Sequence, residues 1–84
     1  MWIKNSENDD VYEYVKKHPS SAKLAQFKER LGDISITLED IYTYRFERNK
    51  SFREIESIIG MDAPRIKEAE NAIVLALRIE FKIF

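Results

Sequence analysis

SFREIESIIGMDAPRIKEAENAIVLALR, residues 51–78, is the stretch on which the fold turns. Ser51 and Glu54 have the spacing of a capping box, in which the hydroxyl and the carboxylate each take a backbone N–H that the first helical turn cannot satisfy. This predicts a helix over Phe52 to Ile59 with Phe52, Ile55, Ile58 and Ile59 as its buried stripe, ended by Gly60. After the turn Gly60, Met61, Asp62, an N-cap Asp62 and an early Pro64 start the last and longest helix, at a position where a missing backbone donor does no harm. Its first half is amphipathic through Ile66, Ala69 and Ile73. Ile73, Val74, Leu75, Ala76 and Leu77 are apolar all round, so this half should be covered on all sides, by the preceding helix on one face and by the N-terminal helices or a second subunit on the other.

Working back from Ser51, the punctuation divides the rest of the chain into three more helices. Asn8 or Asp9 can cap a short helix with Val11, Tyr14 and Val15 on one face, ending before His18 and Pro19. Ser20 or Ser21 caps a second, whose stripe is Leu24, Phe27 and Leu31 and whose end falls at Gly32, taken as the left-handed closing residue. Thr37 with Asp40 resembles a capping box and Ile36 with Ile41 a hydrophobic staple, which starts a third helix at Leu38. Leu38, Ile41, Tyr42 and Phe46 point inward, and the helix ends near Asn49. The expected fold is all-α, about five helices in a single domain over residues 1–84, with an N-terminal helical pair (1–35) packed on a helix-turn-helix part (36–84).

Two helices joined by about three residues, the first ending in Gly and the second opening on a polar turn, form the helix-turn-helix layout, in which the second helix enters the major groove of double-stranded DNA. The exposed candidates at the front of that helix are Ala63, Arg65, Lys67, Glu68 and Asn71, with Arg65, Lys67 and Asn71 facing bases. Lys50, Ser51 and Arg53 stand at the start of the preceding helix, where side chains and backbone N–H groups can hold a phosphate. Taken alone, Arg65 and Lys67 read equally well as solvated helix charges, and the same pattern suits a helical domain that touches no groove.

At this point the chain resembles the fourth region of bacterial sigma factors, over roughly residues 36–78 and without a gap from Ser51 to Arg78. Tyr44, Arg45, Phe46 looks like that family's Arg-Phe or Arg-Tyr ending of its first region-four helix, and Ser51, Phe52, Arg53, Glu54, Ile55 resembles its Thr/Ser, Leu, x, Glu, Ile opening. Gly60, Met61 resembles its Gly, Val turn, and Arg65, Ile66, Lys67, Glu68, Ala69, Glu70 its Arg, Ile, Arg, Gln, Ile, Glu, followed by Ala72, Ile73 and Leu77, Arg78. The resemblance implies promoter recognition, contact with RNA polymerase, and DNA-facing positions at Arg65, Lys67 and Glu68. Ala63 and Pro64 depart from the base-reading Arg and Glu of many primary-type members, and nothing upstream resembles the promoter-melting region. The implied function is therefore a small transcription regulator of phage or mobile-element type, acting alone or with RNA polymerase. The alternative is a module that binds the polymerase or a sigma factor without touching DNA.

Composition narrows the remaining classes. At 84 residues, with 44% hydrophobic and 35% charged residues and two Gly and two Pro, there is room for one modest core built from helices. The absence of cysteine excludes disulfides and thiolate zinc sites and fits a cytoplasmic setting. Met1 to Asp10 contains no apolar core of a secretion signal, and Ala72 to Phe84 is too short and too often interrupted by charge to span a membrane. A formal charge of -1 argues against indiscriminate coating of nucleic acid. Basic residues nonetheless gather over Lys16 to Arg30 and Arg45 to Arg53, and a weakly charged reader needs a homodimer or attachment to polymerase to bind usefully.

Tyr12, Tyr14, Phe27, Tyr42, Tyr44, Phe46 and Phe52 recur at helical spacing and read as core. The ending Ile79, Phe81, Ile83, Phe84 either docks on the N-terminal helices or serves as an interface. His18, the sole histidine, lies at a helix end with no Ser and Asp placed to complete a triad, and neither a phosphate loop nor a metal-ligand or cofactor motif is present, so catalysis is not expected.

Overall fold

The computed structural model describes residues 8–83; the stretch 1–7, on which the argument against a secretion signal rests, and Phe84 lie outside the described residues. The architecture is all-α, with α1 (Asp9–Lys17), α2 (Ala22–Ile34), α3 (Ile36–Tyr42), a single π-helical turn (Thr43–Glu47) continuing α3, α4 (Phe52–Ile59) and α5 (Ala63–Phe81). No helix among the described residues is long and apolar enough to cross a membrane.

One core joins all the helices. Val11 and Val15 of α1, Leu24, Phe27 and Leu31 of α2, Ile41, Tyr42 and Phe46 of α3 and its π-turn, Ile55 of α4, and Ile66, Ile73, Val74 and Leu77 of α5 are buried together. α2 packs on α3, α3 and α4 pack on α5, and α1 lies across the π-turn and α5. The N-terminal pair is thus split between two supports instead of docking as a unit. The aromatic residues are packed as expected: Phe27, Tyr42, Phe46 and Tyr12 stack or tilt in series with ring centroids 4.8–5.8 Å apart.

Two local expectations are corrected, the end of α2 and the start of α3. Gly32 does not close α2, which runs on to Ile34 and ends at Ser35. It lies inside α2 beneath the movable end of Glu39 of α3, whose Oε2 would sit 2.9 Å from a Cβ at that position. Ser35 is an extended residue that ends α2 and starts α3: its N–H donates to Leu31 O (2.8 Å) and its carbonyl accepts from Leu38 N (3.1 Å). α3 therefore begins at Ile36, so Thr37 lies inside the helix and caps nothing, and the supposed staple residue Ile36 is 68% exposed. The helix does end near Asn49: its last turn widens, with Arg48 N donating to Thr43 O (3.0 Å), Asn49 takes the left-handed region at φ 53°, and Lys50 N then donates back to Tyr44 O (2.7 Å).

The chain end docks in part. Phe81 sits edge-on to Tyr14 and Phe27, at 5.7 and 6.0 Å, under the Lys23 ammonium. Ile83 is half-buried, and Ile79 faces outward. The apolar half of α5 is consequently not covered on all sides, since Leu75 is 60% and Ile79 68% exposed. His18 is a surface residue whose Nδ1 donates to Tyr14 O at 2.7 Å while its ring stacks on Tyr14.

Candidate nucleic-acid interface

The helix pair forms as its local chemistry dictates. Ser51 Oγ accepts from Glu54 N (3.1 Å) and Glu54 Oε1 accepts from Ser51 N (3.0 Å), closing both halves of the capping box. These hydrogen bonds from Ser51 hold the Glu54 carboxyl below the usual carboxylate range. Ile55 is fully buried, whereas Phe52 and Ile59 are half-buried and Ile58 is 50% exposed, so the buried stripe of α4 is narrower than its four apolar residues suggest. Gly60 ends the helix at φ 70°, with its N–H donating to Glu56 O. Asp62 stands at the N-cap of α5 in extended geometry, but it contributes its carbonyl, which accepts from Arg65 N and Ile66 N (3.0 and 3.1 Å). The side chain that satisfies the first amide comes from α4, where Glu56 Oε2 accepts from Ala63 N at 2.9 Å.

Arg65, Lys67, Glu68 and Asn71 are all exposed on the first two turns of α5, while Ile66 and Glu70 between them face inward. At about 100° per residue, Glu68 and Asn71 share a central strip and Arg65 and Lys67 flank it on opposite sides. Ala63 is half-buried and its amide is committed to Glu56. That carboxylate occupies the positive end of α5, so an approaching phosphate finds better partners at α4. There Ser51 is exposed with its hydroxyl and N–H already used by Glu54, Lys50 Nζ lies 3.8 Å from Glu54 Oε2, and Arg53 is exposed beside first-turn amides that have no intrahelical acceptor.

The expected basic patches are thinner than their sequence. Arg45 turns into the core, and Lys50 faces Glu54, which leaves Arg48 and Arg53 as the exposed cations of that run without an ion-pair partner among the described residues. In the other run, Lys28 pairs with Glu47 at 3.0 Å and Arg30 with Glu80, while Lys23 donates to Glu80 O.

Beneath the helix pair lies a polar network that sequence reasoning missed. Glu70, 4% exposed, accepts from Arg45 Nε and from the Tyr12 hydroxyl. Arg45 Nη2 donates to the Tyr12 hydroxyl (2.9 Å) and Nη1 to the Lys50 carbonyl (2.8 Å), and its guanidinium lies over the Phe52 ring at 4.2 Å. Burial works against the Arg45 cation, but the hydrogen bond and charge of Glu70 outweigh it and hold its pKa above the ordinary guanidinium value. Burial, reinforced by Glu70, pushes the Tyr12 hydroxyl upward as well. These contacts tie α1, the π-turn, the start of α4 and the middle of α5 into one unit. A second tie, Arg78 bidentate to Asp10 at 2.7 and 3.0 Å, fastens α1 to the far end of α5. Sequence offered one hint: Glu70 falls two residues from Glu68, hence on another face of the helix.

No protein-family model, curated protein or solved structure matches the chain.

Proposed function

We propose that the chain is a small helix-turn-helix transcription regulator that reads double-stranded DNA with the first two turns of α5, working while attached to RNA polymerase or a sigma factor. The observation that carries this is the run Arg65, Lys67, Glu68, Asn71, four exposed polar side chains at the front of a helix braced from behind by Ile55, Ile66 and the Glu70 network. In this arrangement Asn71 and Glu68 offer groups suited to adenine and cytosine edges, and Arg65 and Lys67 reach the edges or phosphates on either side. Arg53, with the open amides of α4, holds the backbone. Attachment is required because so small and weakly charged a surface makes few contacts alone.

A second reading, a module that binds polymerase or a sigma factor without DNA, is favoured by Ile58 and Leu75, 50% and 60% exposed. Selection from random duplex DNA by the purified protein, with and without RNA polymerase, separates the two. The regulator yields an enriched motif in at least one arm; no motif in either arm, with measurable polymerase or sigma binding, supports the module. On an enriched site, Arg65→Ala should cost about 1 to 3 kcal/mol if it grips a base, and Arg53→Ala should weaken all sequences alike and lower the salt slope by about 1.

A further inference from the structure

Glu68, Ala72, Leu75, Ile79 and Lys82 follow one another at spacings of four, three, four and three, and all five are exposed. From Glu68 to Ile79 that spacing draws a nearly straight line along α5, the pattern of a helix that packs lengthwise against another, and Lys82 follows as the C-cap at φ 55°, just past the end of the helix. The opposite side of α5 is already used, since Ile66, Glu70, Ile73, Val74 and Leu77 are buried within the chain. The outer seam is thus a second packing face, apolar at its centre and charged at its two ends.

Its charges indicate what covers it. Glu68 and Lys82 each lie seven residues from Leu75, on opposite sides, and neither has an ion-pair partner among the described residues. Laid against its own copy in parallel, the seam sets Glu68 on Glu68 and Lys82 on Lys82. Laid antiparallel about a two-fold axis at Leu75, it sets each Glu68 opposite the other copy's Lys82, and the charges match twice over. The apolar residues fit the same operation, because Leu75 meets Leu75 and Ile79 falls near the small Ala72 and Asn71 of the other copy.

We propose that two copies of the chain associate through α5, antiparallel about a two-fold axis at Leu75, with reciprocal Glu68–Lys82 pairs at the ends of the seam. Three to four turns of paired helix bury on the order of 1,000 Å² over both copies, below the roughly 1,600 Å² of a standard stable complex, so this is a weak, exchanging dimer. The pairing covers Glu68 and Asn71. If α5 reads DNA as proposed above, a consequence that rests on that reading, the dimer and the DNA-bound form exclude one another.

The test is sedimentation velocity of the full chain without DNA, from about 5 μM to 1 mM, so that a failure to bind DNA cannot be mistaken for a failure to dimerise. Wild type should move from monomer to dimer across this range. Leu75→Glu, at an exposed site where the circular dichroism spectrum and melting should not change, should remain monomeric throughout. Glu68→Lys and Lys82→Glu singly should each weaken association about five- to thirtyfold, since each turns two attractions into two repulsions, and the double exchange should restore it to within about twofold. A monomer at every concentration overturns the proposal, and so does a dimer that survives Leu75→Glu. Single reversals that the double exchange fails to repair overturn it too, because another register or face then holds the copies together.

Discussion

Replacing Arg45 by Ala should be among the most damaging single changes in this chain, although the position looks on sequence like a surface charge. The truncation strips Glu70, 4% exposed, of its cation and leaves the Tyr12 hydroxyl as its remaining side-chain partner. It also removes a hydrogen bond to the Lys50 carbonyl and the stacking over Phe52. Removing one member of a buried ion pair costs about 3 to 5 kcal/mol. The Arg45 side chain is 19% exposed, so water screens part of the loss and about 3 kcal/mol is the expected value. A domain of this length has roughly 4 to 13 kcal/mol of total stability, and the change therefore removes between about a fifth and three quarters of it. Urea unfolding followed by far-ultraviolet circular dichroism reads the loss directly; with a slope of about 1 kcal/mol per molar, the midpoint falls by about 3 M. Arg45→Met combined with Glu70→Leu removes both charges together and should recover most of the loss, because the penalty comes from the orphaned carboxylate and not from the missing attraction. A loss under about 1 kcal/mol in Arg45→Ala, or a double variant as weak as the single, would refute this reasoning.

The two glycines should respond oppositely. Gly60→Ala forces a side chain into φ 70° and should cost about 1 kcal/mol, whereas Gly32→Ala, inside a helix and opposed by the movable end of Glu39, should change stability by under about 1 kcal/mol and towards a higher melting temperature. Thermal melts of both variants check this. Stability should also fall in alkali. Burial, helped by the charge of Glu47, pushes the Tyr42 hydroxyl up to about 12 from its ordinary 10.0, so between pH 10 and 12 the unfolded chain loses a proton that the folded chain keeps. That contribution, about 2 kcal/mol, is complete below pH 10 and lost as pH rises towards 12; urea midpoints at pH 9, 10 and 11 should decline less steeply for Tyr42→Phe.

What the sequence disclosed depended on how far its chemistry had to reach. Ser51 with Glu54, and Gly60 with its positive φ, act over three or four residues and were legible, as was the core stripe Leu24, Phe27, Leu31. Gly32 was misread because a glycine admits a left-handed turn and a close neighbour equally, and Glu39 becomes visible only once α3 folds back on α2. Thr37 lost the capping role to Ser35, two residues earlier, where α2 and α3 share a single extended joint. Glu70 and Arg45 were beyond reach: their partners lie 58 and 25 residues away, and no local pattern marks a carboxylate destined for the interior. Among the proposed DNA contacts, the exposure of Arg53, Arg65, Lys67, Glu68 and Asn71 followed from helical periodicity. The half-burial of Ala63 and the claim of Glu56 on its amide did not, because Glu56 reaches across from α4, whereas the engagement of Ser51 was already implied by its capping box with Glu54.

The ties between α1 and α5 also govern when the molecule can exist during its own synthesis. Asp10 is joined to Arg78 across 68 residues and Tyr12 to Glu70 across 58. A nine-residue helix such as α1 is too short to persist in water unaided. As the chain leaves the ribosome, α1 meets the π-turn first but lacks Glu70 and Arg78 until α5 has followed it out, so the closing of the core waits for α5. A nascent chain halted before Glu70 leaves Ile41, Tyr42 and Phe46 without the cover of Ile66, Ile73, Val74 and Leu77, however well α2 and α3 have already formed.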